Sequence, residues 1–430
     1  MKLSSPCCYE VRHLDGQGNG LFATRDIQKG ELIFQEFPFV WNGFKAAVNA
    51  QSSFCYTCGE CVASLHTTTR CDGCQVRFCS RKCRSITNAK GHSFICACYK
   101  EGGLVDHFSQ TNKSGHLALA LQCYMHIAKT CVSVLVERQE TAHSRILRCA
   151  KMVLGGYHKV DYCRTNHTVR TGRSTVPDLE MFESMIAPAY FAAHLEDGLA
   201  RICEVFTRLP LSMWSYQCDT DAEFTTSTSN SSDSADGTRV SNGVEAAAQL
   251  REAFLNSDQD GIFHPMYFRN LMGMFVVNSY HTHLQSKEDP TVQLLGTALY
   301  PTVSKMNHSC ESNIVNSHSK TDVQLYVYAT ADILNGQELT TTYLHSRPAH
   351  AKPQSRRSRH KCILQYLFTC TCPKCEKERL LAQSIRRAKR GDASTDNADS
   401  EYSDDEEEES SSSEEEDTEY TTSSGSSQCY

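Results

Sequence analysis

The sequence predicts an α+β protein, and three observations support this prediction. Alternating apolar and polar residues, which are typical of strands, occur near both ends of the folded region, at 31–40, 322–328 and 338–343. Between them, helix-like apolar spacing occurs at 115–138, 243–255 and 266–284. A cysteine-rich block occupies residues 55–96. Of the 430 residues, 40% are hydrophobic, which is enough to build a sizeable core.

Two of the predicted strands are adjacent in the chain. The pair Asn335-Gly336 lies between 322–328 and 338–343, and this pair favours a tight turn with positive φ. The sequence therefore predicts a β-hairpin here. A stretch rich in Ser, Thr, Asn and Asp, at 225–241, has too few apolar residues to offset its ordering entropy and is predicted to be a disordered loop.

Charge is unevenly distributed along the chain. Residues 391–430 contain 15 Asp and Glu and no Lys or Arg, so that self-repulsion predicts a disordered acidic tail. Residues 1–390 carry 43 Lys and Arg against 35 Asp and Glu, a net charge of +8, whereas the whole chain has −7. The basic body can attract nucleic acid or acidic proteins, and an ordinary solvated surface is an equal alternative.

No segment resembles a signal peptide or a membrane span. Residues 1–10 lack a long apolar run, and the most apolar stretch, 117–136, is interrupted by Gln122, His126 and Lys129. We therefore expect the 23 cysteines to lie in a reducing compartment, where metal binding is favoured over disulfides.

The cysteine-rich block contains four ligand pairs, each spaced so that two side chains can bind one tetrahedral ion. The pairs are Cys55-x2-Cys58, Cys71-x2-Cys74, Cys79-x3-Cys83 and His92-x3-Cys96. Eight ligands make two zinc sites. If alternate pairs share an ion, one site contains Cys55, Cys58, Cys79 and Cys83, and the other contains Cys71, Cys74, His92 and Cys96. Free buried cysteines are the alternative interpretation.

A third site is indicated by Cys370-x-Cys372-x2-Cys375, which supplies three thiolates. No fourth ligand lies nearby in the sequence, so one must come from elsewhere in the chain. The alternative is three unligated cysteines at the edge of a domain.

Three short motifs are weak signals when taken singly. Gly18-Asn19-Gly20 can serve an ordinary turn or allow a ligand to approach the backbone. Asn307-His308 can belong to a capped turn, and Tyr343 can be a core aromatic residue. Their order and joint occurrence carry more information than any one of them.

Together with the cysteine block, these motifs resemble the SMYD family of protein-lysine methyltransferases, in which a MYND zinc finger is inserted into a SET domain. The matched segments are 18–23, 55–96, 296–313, 336–343 and 368–375. Within the family, the chain is most similar to the short members that lack the C-terminal helical repeat domain, because only 55 residues follow Cys375. The resemblance implies a β-rich SET domain with a pseudoknot.

The resemblance also implies a domain order along the chain. It consists of the N-terminal part of SET (9–54), the MYND finger (55–96), a helical insert (97–260), the catalytic core of SET (261–346), a post-SET zinc cap (347–380) and the acidic tail (391–430).

The family further implies that S-adenosylmethionine is the cofactor. The backbone of Gly18, Asn19 and Gly20 would cradle its methionine end, and Asn307 with His308 would hold its amino and adenine groups. Asn278 is implied as a further cofactor contact.

Tyr343 is implied to contact both cofactor and substrate, and to be the catalytic tyrosine whose hydroxyl orients the lysine amine and the methyl group. Cys310 is implied as the missing ligand of the third zinc. All three zinc ions are expected to be structural, because four protein ligands fill each site.

The resemblance implies that the substrates are lysine side chains of histone tails and of ribosomal or other basic proteins, and that the finger docks protein partners. We expect a monomer, present in cytoplasm and nucleus and not in membranes. The alternative is a catalytically silent scaffold that recruits partners through the finger. Gln17 and Phe22, where longer members often have Arg, keep this alternative open. No clear second tyrosine lies on the strand around Lys320, which bears on cofactor affinity or product state.

Overall fold

A computed structural model describes the chain over residues 8–14, 18–46, 53–62, 68–100, 102–111, 115–137, 139–155, 188–215, 236–258, 260–287, 289, 291–344, 355–363, 366 and 368–391. The chain divides into two compact units, Met1–Glu378 and Arg379–Tyr430. All the sites discussed below lie in the first unit. In the described residues, no helix is sufficiently long and apolar to cross a membrane.

Strands from the beginning of the chain pair with strands that follow residue 278. The strands are β1 (Tyr9–Leu14), β2 (Gly18–Ala23), β3 (Leu32–Glu36), β4 (Val40–Ala46), β5 (Thr69–Arg70), β6 (Arg77–Phe78), β7 (Ser279–Gln285), β8 (Gln293–Leu299), β9 (Ile314–His318), β10 (Leu325–Ala329) and β11 (Glu338–Leu339). They form antiparallel sheets in the orders β1-β2-β11, β3-β10-β9, β4-β8-β7 and β5-β6. The intervening chain is therefore an insertion between sheet partners.

Helices make up most of the described part of this insertion and the end of the described chain. They are α1 (Arg81–Ala89), α2 (Leu104–Thr111), α3 (His116–Ser133), α4 (Ala142–Leu154), α5 (Pro188–Thr207), α6 (Asp236–Phe254), α7 (Pro265–Asn278), α8 (Arg356–Ile363) and α9 (Pro373–Gly391).

Helix α3 is the centre of the helical core. It buries 15 of its 18 residues, which means that neighbours cover nearly every face. Tyr124 at its middle stacks on Phe263 with ring centroids 4.5 Å apart and donates a 2.6 Å hydrogen bond to the carbonyl of Ile262. The phenol is thus buried with its polar end satisfied.

A second core lies between the sheets. Its buried side chains include Leu21, Ala298, Tyr300, Val327 and Leu339, which come from four different strands or strand ends. The register places Leu339 opposite Leu21, and this pairing fixes the position of the segment that follows β11.

The helical prediction for 266–284 is wrong after residue 278. Ser279–Gln285 forms β7, which pairs with β8 from Ser279 opposite Leu299 to Gln285 opposite Gln293. Apolar spacing alone cannot separate a buried helix from a strand. Here the hydrogen bonds to β8 make residues 279–285 a strand.

The predicted hairpin between 322–328 and 338–343 is also wrong. Gly336 has φ +81 and allows the tight turn, in which the N–H of Gln337 donates to the carbonyl of Leu334 at 3.0 Å. Both edges of β10 are already occupied, by β3 and β9. The chain after the turn therefore pairs with β2 instead.

The predicted loop at 225–241 overlaps α6, which begins at Asp236. The loop prediction is wrong for 236–241, because α6 buries Ala247, Leu250 and Phe254 and a packed helix propagates beyond its buried face. Residues 225–235 lie outside the described residues. So does the predicted acidic tail, apart from Gly391 at the end of α9.

Candidate functional site: three cysteine clusters and a tyrosine crossing

The first cluster joins a tight turn to the start of a helix. Gly59, at φ +73, allows its own N–H to donate to the carbonyl of Cys55 at 2.8 Å, which brings Cys55 and Cys58 together. Ser80 caps α1 by accepting from the N–H of Cys83 at 3.2 Å, and this cap places Cys79 and Cys83 beside them. The four sulfur atoms of Cys55, Cys58, Cys79 and Cys83 lie within 4.8 Å of one another.

The second cluster contains Cys71, Cys74, His92 and Cys96. The sulfur atoms of Cys71 and Cys96 are 3.5 Å apart, and His92 Nε2 is 3.2 Å from Cys74 Sγ. Burial lowers the pKa of His92 to about 4, so its imidazole is neutral, the form that binds metals. A Cβ atom on Gly73 would lie 2.6 Å from Cys96 Sγ, so this position requires glycine.

The third cluster unites Cys310 with the distant Cys370, Cys372 and Cys375. Cys310 Sγ is 3.9 Å from Cys370 Sγ and 3.5 Å from Cys375 Sγ. Each of the three clusters contains the same four side chains that were predicted to share one ion. The buried neighbours include Ile363, and Phe368 and Tyr366 pack against them.

These donor sets suit zinc. Four sulfur ligands at the usual Zn–S length of about 2.3 Å lie about 3.8 Å apart in a tetrahedron. The sulfur pairs measured here range from 3.5 to 3.9 Å. The three cysteine-rich clusters could therefore hold zinc, each with a full set of four protein ligands.

Two chain segments cross next to the third cluster. The N–H of Thr341 donates to the carbonyl of Asn307 at 2.9 Å, and the N–H of Ser309 donates to the carbonyl of Thr341 at 2.9 Å. His308 and Thr341 form a parallel bridge. This crossing places Asn307, His308 and Tyr343 together although 34 residues separate the Asn307-His308 pair from Tyr343.

Tyr343 is held at both ends of the residue. Its N–H donates to His308 Nδ1 at 2.9 Å, and its hydroxyl donates to the carbonyl of Met306 at 2.8 Å. Burial raises the pKa of Tyr343 well above its ordinary value, and the phenols of Tyr280 and Tyr366 raise it further. The side chain therefore stays neutral and acts through hydrogen bonding.

His308 is also neutral. Burial, followed by the charges of Arg359 and His360, lowers its pKa to about 4. Because Nδ1 accepts from Tyr343, the ring proton lies on Nε2, which is 3.5 Å from Cys310 Sγ. The imidazole thus links the tyrosine to the third cluster.

Aromatic residues that were not predicted as site residues surround Tyr343. Its ring centroid is 4.6 Å from that of Tyr366 and 6.2 Å from that of Phe368. Tyr280 on β7 is near enough to influence the pKa of Tyr343. The available signal was weak, since Tyr366 and Phe368 simply precede the cysteine triplet, and Tyr280 lay in a segment predicted as helix.

The strand β2 approaches the same crossing. A Cβ atom on Gly20 would lie 2.7 Å from Glu338 Oε1 and 3.2 Å from Asn307 Nδ2. Asn307 Nδ2 donates to that Glu338 oxygen at 2.7 Å. Burial raises the pKa of Glu338, although the hydrogen bond from Asn307 opposes this effect. Backbone, amide and carboxylate therefore converge around the bare Cα of Gly20.

The other predicted cofactor contacts lie on β2 and at the end of α7. Gly18, at φ +78, opens β2, and Asn19 is next to it, with its Oδ1 3.4 Å from His13 Nδ1. Asn278 is buried at the end of α7, where its amide donates to the carbonyl of Met274 at 2.8 Å. The carbonyl of Asn278 accepts from Ser304, three residues before Asn307.

Phe22 occupies a position where the longer SMYD members often have Arg. In this chain, the side chain of Arg12 lies beside it. The guanidinium of Arg12 lies over the Phe22 ring, 4.7 Å from its centroid, and pairs with Glu10. The other departure noted in the sequence, Gln17, lies outside the described residues.

Comparisons with known proteins identify a SET domain and several similar proteins. The family profile of the SET domain matches residues 218–344, which include Asn278, Asn307, His308 and Tyr343. The mouse (Mus musculus) protein named "Protein-lysine N-trimethyltransferase SMYD5" is 26% identical over 396 residues, which cover 85% of this chain and 86% of the mouse protein.

Two further matches are more distant. "Histone-lysine N-methyltransferase SET5" of Candida albicans is 23% identical over 389 residues, 86% of this chain and 64% of the fungal protein. A solved structure, "Crystal structure of the SET domain of LSMT bound to Lysine and AdoHcy", has 9% identity and a TM-score of 0.31, with 80% of this chain and 51% of that chain covered. The chain therefore contains a SET domain and is similar over most of its length to proteins named SMYD5.

Proposed function

We propose that the chain is a protein-lysine N-methyltransferase, which transfers methyl groups from S-adenosylmethionine to lysine side chains of histones and of ribosomal or other basic proteins. The observation that carries the proposal is the crossing of 307–309 with 341–343, which joins Tyr343 to His308 and Met306. The names of the SMYD5 and SET5 relatives, which are lysine methyltransferases, support the same activity.

The residues around Gly20 suit a cationic cofactor. Gly20 leaves room where a side chain would collide with Glu338, and the half-buried Glu338 carboxylate provides negative charge. The backbone of Gly18–Gly20 and the side chain of Asn307 would hold the amino acid end, and the segment at His308 would hold the adenine. Asn278 supports this segment through Ser304.

S-adenosylmethionine supplies an activated methyl group when it is bound. A neutral lysine amine forms the new N–C bond as the C–S bond breaks, and the amine then loses a proton to solvent. The hydroxyl of Tyr343 donates its proton to the carbonyl of Met306. The phenolic oxygen can therefore accept a hydrogen bond from the lysine amine and fix the direction in which the amine approaches the methyl group. The surrounding rings of Tyr366 and Phe368 exclude water.

The finer assignments follow from this proposal. The clusters at 55–96 form a MYND finger with two structural zinc ions, and the third cluster is a post-SET zinc cap within 347–380. The crossing at 307–309 and 341 is the SET pseudoknot.

The SET domain comprises 9–54 and 261–346, with the helical insert at 97–260 between its parts. The protein is a monomer in cytoplasm and nucleus, and its finger binds partners.

A labelled-methyl assay tests the activity. Zinc-loaded protein is incubated with methyl-labelled S-adenosylmethionine and either core histones or ribosomal proteins, and mass spectrometry identifies the modified residues. Methyl-lysine that depends on the protein and disappears in Asn307→Ala supports the proposal. Modification of residues other than lysine would contradict it.

The alternative function is a silent scaffold that recruits partners through the finger. The exposed α1 residue Ile86 is the kind of apolar side chain that such docking would use. A scaffold would retain partner binding but lack saturable S-adenosylmethionine binding, which separates the two functions experimentally.

A further inference from the structure

A buried arginine contacts two cysteines of the third cluster. Arg359, on α8, has only 5% of its surface exposed. Its Nε is 3.3 Å from Cys310 Sγ, and its Nη2 is 3.5 Å from Cys375 Sγ. These two sulfur atoms belong to segments 65 residues apart. The guanidinium therefore spans the junction between them.

The guanidinium is itself fixed from α9. Arg359 Nη2 donates to Glu378 Oε2 at 2.6 Å, and the Glu378 side chain is 34% exposed. The Nη2 of the guanidinium thus donates to both the Glu378 carboxylate and Cys375 Sγ, while Nε donates to Cys310 Sγ. A lysine ammonium has a single nitrogen, whereas the planar guanidinium donates from separate nitrogens. Lysine therefore cannot reproduce this arrangement.

Charge explains why a cation is needed here. Four thiolates around one zinc ion leave an excess of about two negative charges, and burial of that excess is costly. His308 and His360 also face the cluster, with Nε2 atoms 3.5 Å from Cys310 Sγ and 3.4 Å from Cys375 Sγ respectively. An arginine guanidinium is always charged in proteins, so Arg359 supplies the permanent positive charge among these three side chains.

We propose that Arg359 is a positioning residue for the third metal site: its guanidinium donates to the thiolates of Cys310 and Cys375, and Glu378 holds it in place. The inference rests on the proposed third zinc site. Since Cys310 is two residues from His308, whose ring receives the Tyr343 N–H, Arg359 also secures the crossing at the reaction site. The effect on catalysis would be indirect, through the metal site.

The test is the rate of zinc release from the full-length, zinc-loaded protein to an excess of a chromogenic chelator. Cys372→Ser identifies the release phase of the third site, because that phase is lost in the variant. In Arg359→Met, the same phase is expected to be about 10-fold to 100-fold faster, the factor by which removing a group that supports a metal ligand typically lowers metal affinity. Arg359→Lys is expected to fall between wild type and Arg359→Met.

Arg357→Met is the matched control, because Arg357 is an exposed arginine on the same helix. Release from this variant should equal that of wild type. If the third phase of Arg359→Met is within twofold of this control, the role of Arg359 is contradicted while the third site stands. If wild type holds only two zinc ions, both the third site and this inference are wrong.

Glu378→Gln covers the case in which Arg359→Met does not fold. This variant keeps the arginine but weakens its restraint, and we expect several-fold faster third-phase release with an unchanged circular dichroism spectrum. An unchanged release rate in this variant, with Arg359→Lys also equal to wild type, would overturn the inference.

Discussion

The hydroxyl of Tyr343 donates a 2.8 Å hydrogen bond to the backbone carbonyl of Met306, across two segments that are joined only by folding. This bond fixes the phenolic oxygen at the crossing beside His308. Replacement of Tyr343 with Phe keeps the ring packing and removes only the oxygen. We expect turnover to fall on the order of 100-fold, the effect typical of losing a preorganised hydrogen-bonding group, with cofactor affinity unchanged.

Steady-state methylation and calorimetric cofactor binding check this prediction together. Tyr326→Phe is the control, because the described hydrogen bond of the Tyr326 hydroxyl is to Gln324 and not to the crossing. A Tyr343→Phe variant with wild-type turnover would remove Tyr343 from the reaction. Loss of cofactor binding would instead place the hydroxyl in the cofactor site.

Gly20→Ala tests the cradle proposed for the cofactor. The added methyl group would lie 2.7 Å from Glu338 Oε1 and displace the carboxylate from Asn307. We expect S-adenosylmethionine affinity to fall about tenfold or more, with the chain still folded. Gly243→Ala is the control, since a Cβ atom at Gly243 meets nothing within 4 Å. Equal affinities of the two variants, measured by calorimetry, would show that the cofactor binds elsewhere.

Gly73→Ala tests the second cysteine cluster. Its Cβ atom would lie 2.6 Å from Cys96 Sγ, too close for the four ligands to hold an ion. We expect about three zinc ions per chain in wild type by the four-ligand count and one fewer in the variant. Elemental analysis of both purified proteins measures the difference. Three ions in both proteins would contradict the prediction that the second cluster requires glycine at position 73.

Glu338 predicts a specific pH dependence of stability. Burial raises its pKa above the ordinary 4.5, so the folded state holds the proton more tightly than the unfolded state does. Its contribution to the unfolding free energy is therefore present below the ordinary pKa and is lost as the pH rises through the raised pKa. Glu338→Gln cannot ionise and lacks this loss.

Urea unfolding of wild type and Glu338→Gln at pH 4 and pH 7 measures this contribution. The stability of the variant relative to wild type should be greater at pH 7 than at pH 4. A difference that is constant or smaller at pH 7 would show that burial does not disfavour the Glu338 carboxylate.

Local spacing predicted some features well. Each ligand pair lies within a single turn or helix start, such as Cys55 with Cys58 or Cys79 with Cys83, so the sequence itself brings the two side chains close. The grouping of distant pairs into two sites followed from the assumption that alternate pairs share an ion, whereas the choice of Cys310 depended on the family resemblance. Helices α3 and α6 were also predicted from apolar spacing, although α6 begins earlier than expected.

Features that depend on distant partners could not be predicted in this way. The turn at Asn335-Gly336 was recognisable, but its flanking strands have other partners because β10 is already paired on both edges. Tyr366 reaches Tyr343 only when the chain around the third cluster folds back. Arg359 lies in the basic segment 356–361, and nothing in the sequence pointed to its burial against two cysteines.

Calorimetric titration of S-adenosylmethionine into the zinc-loaded full-length protein tests the central claim most directly, since it requires no choice of substrate. We predict saturable one-site binding that weakens about tenfold or more in Asn307→Ala, whose amide contacts Glu338 at the cradle. Asn256→Ala, in the loop after α6, should bind as wild type does. Well-folded wild type without measurable binding would contradict the claim that this chain transfers methyl groups.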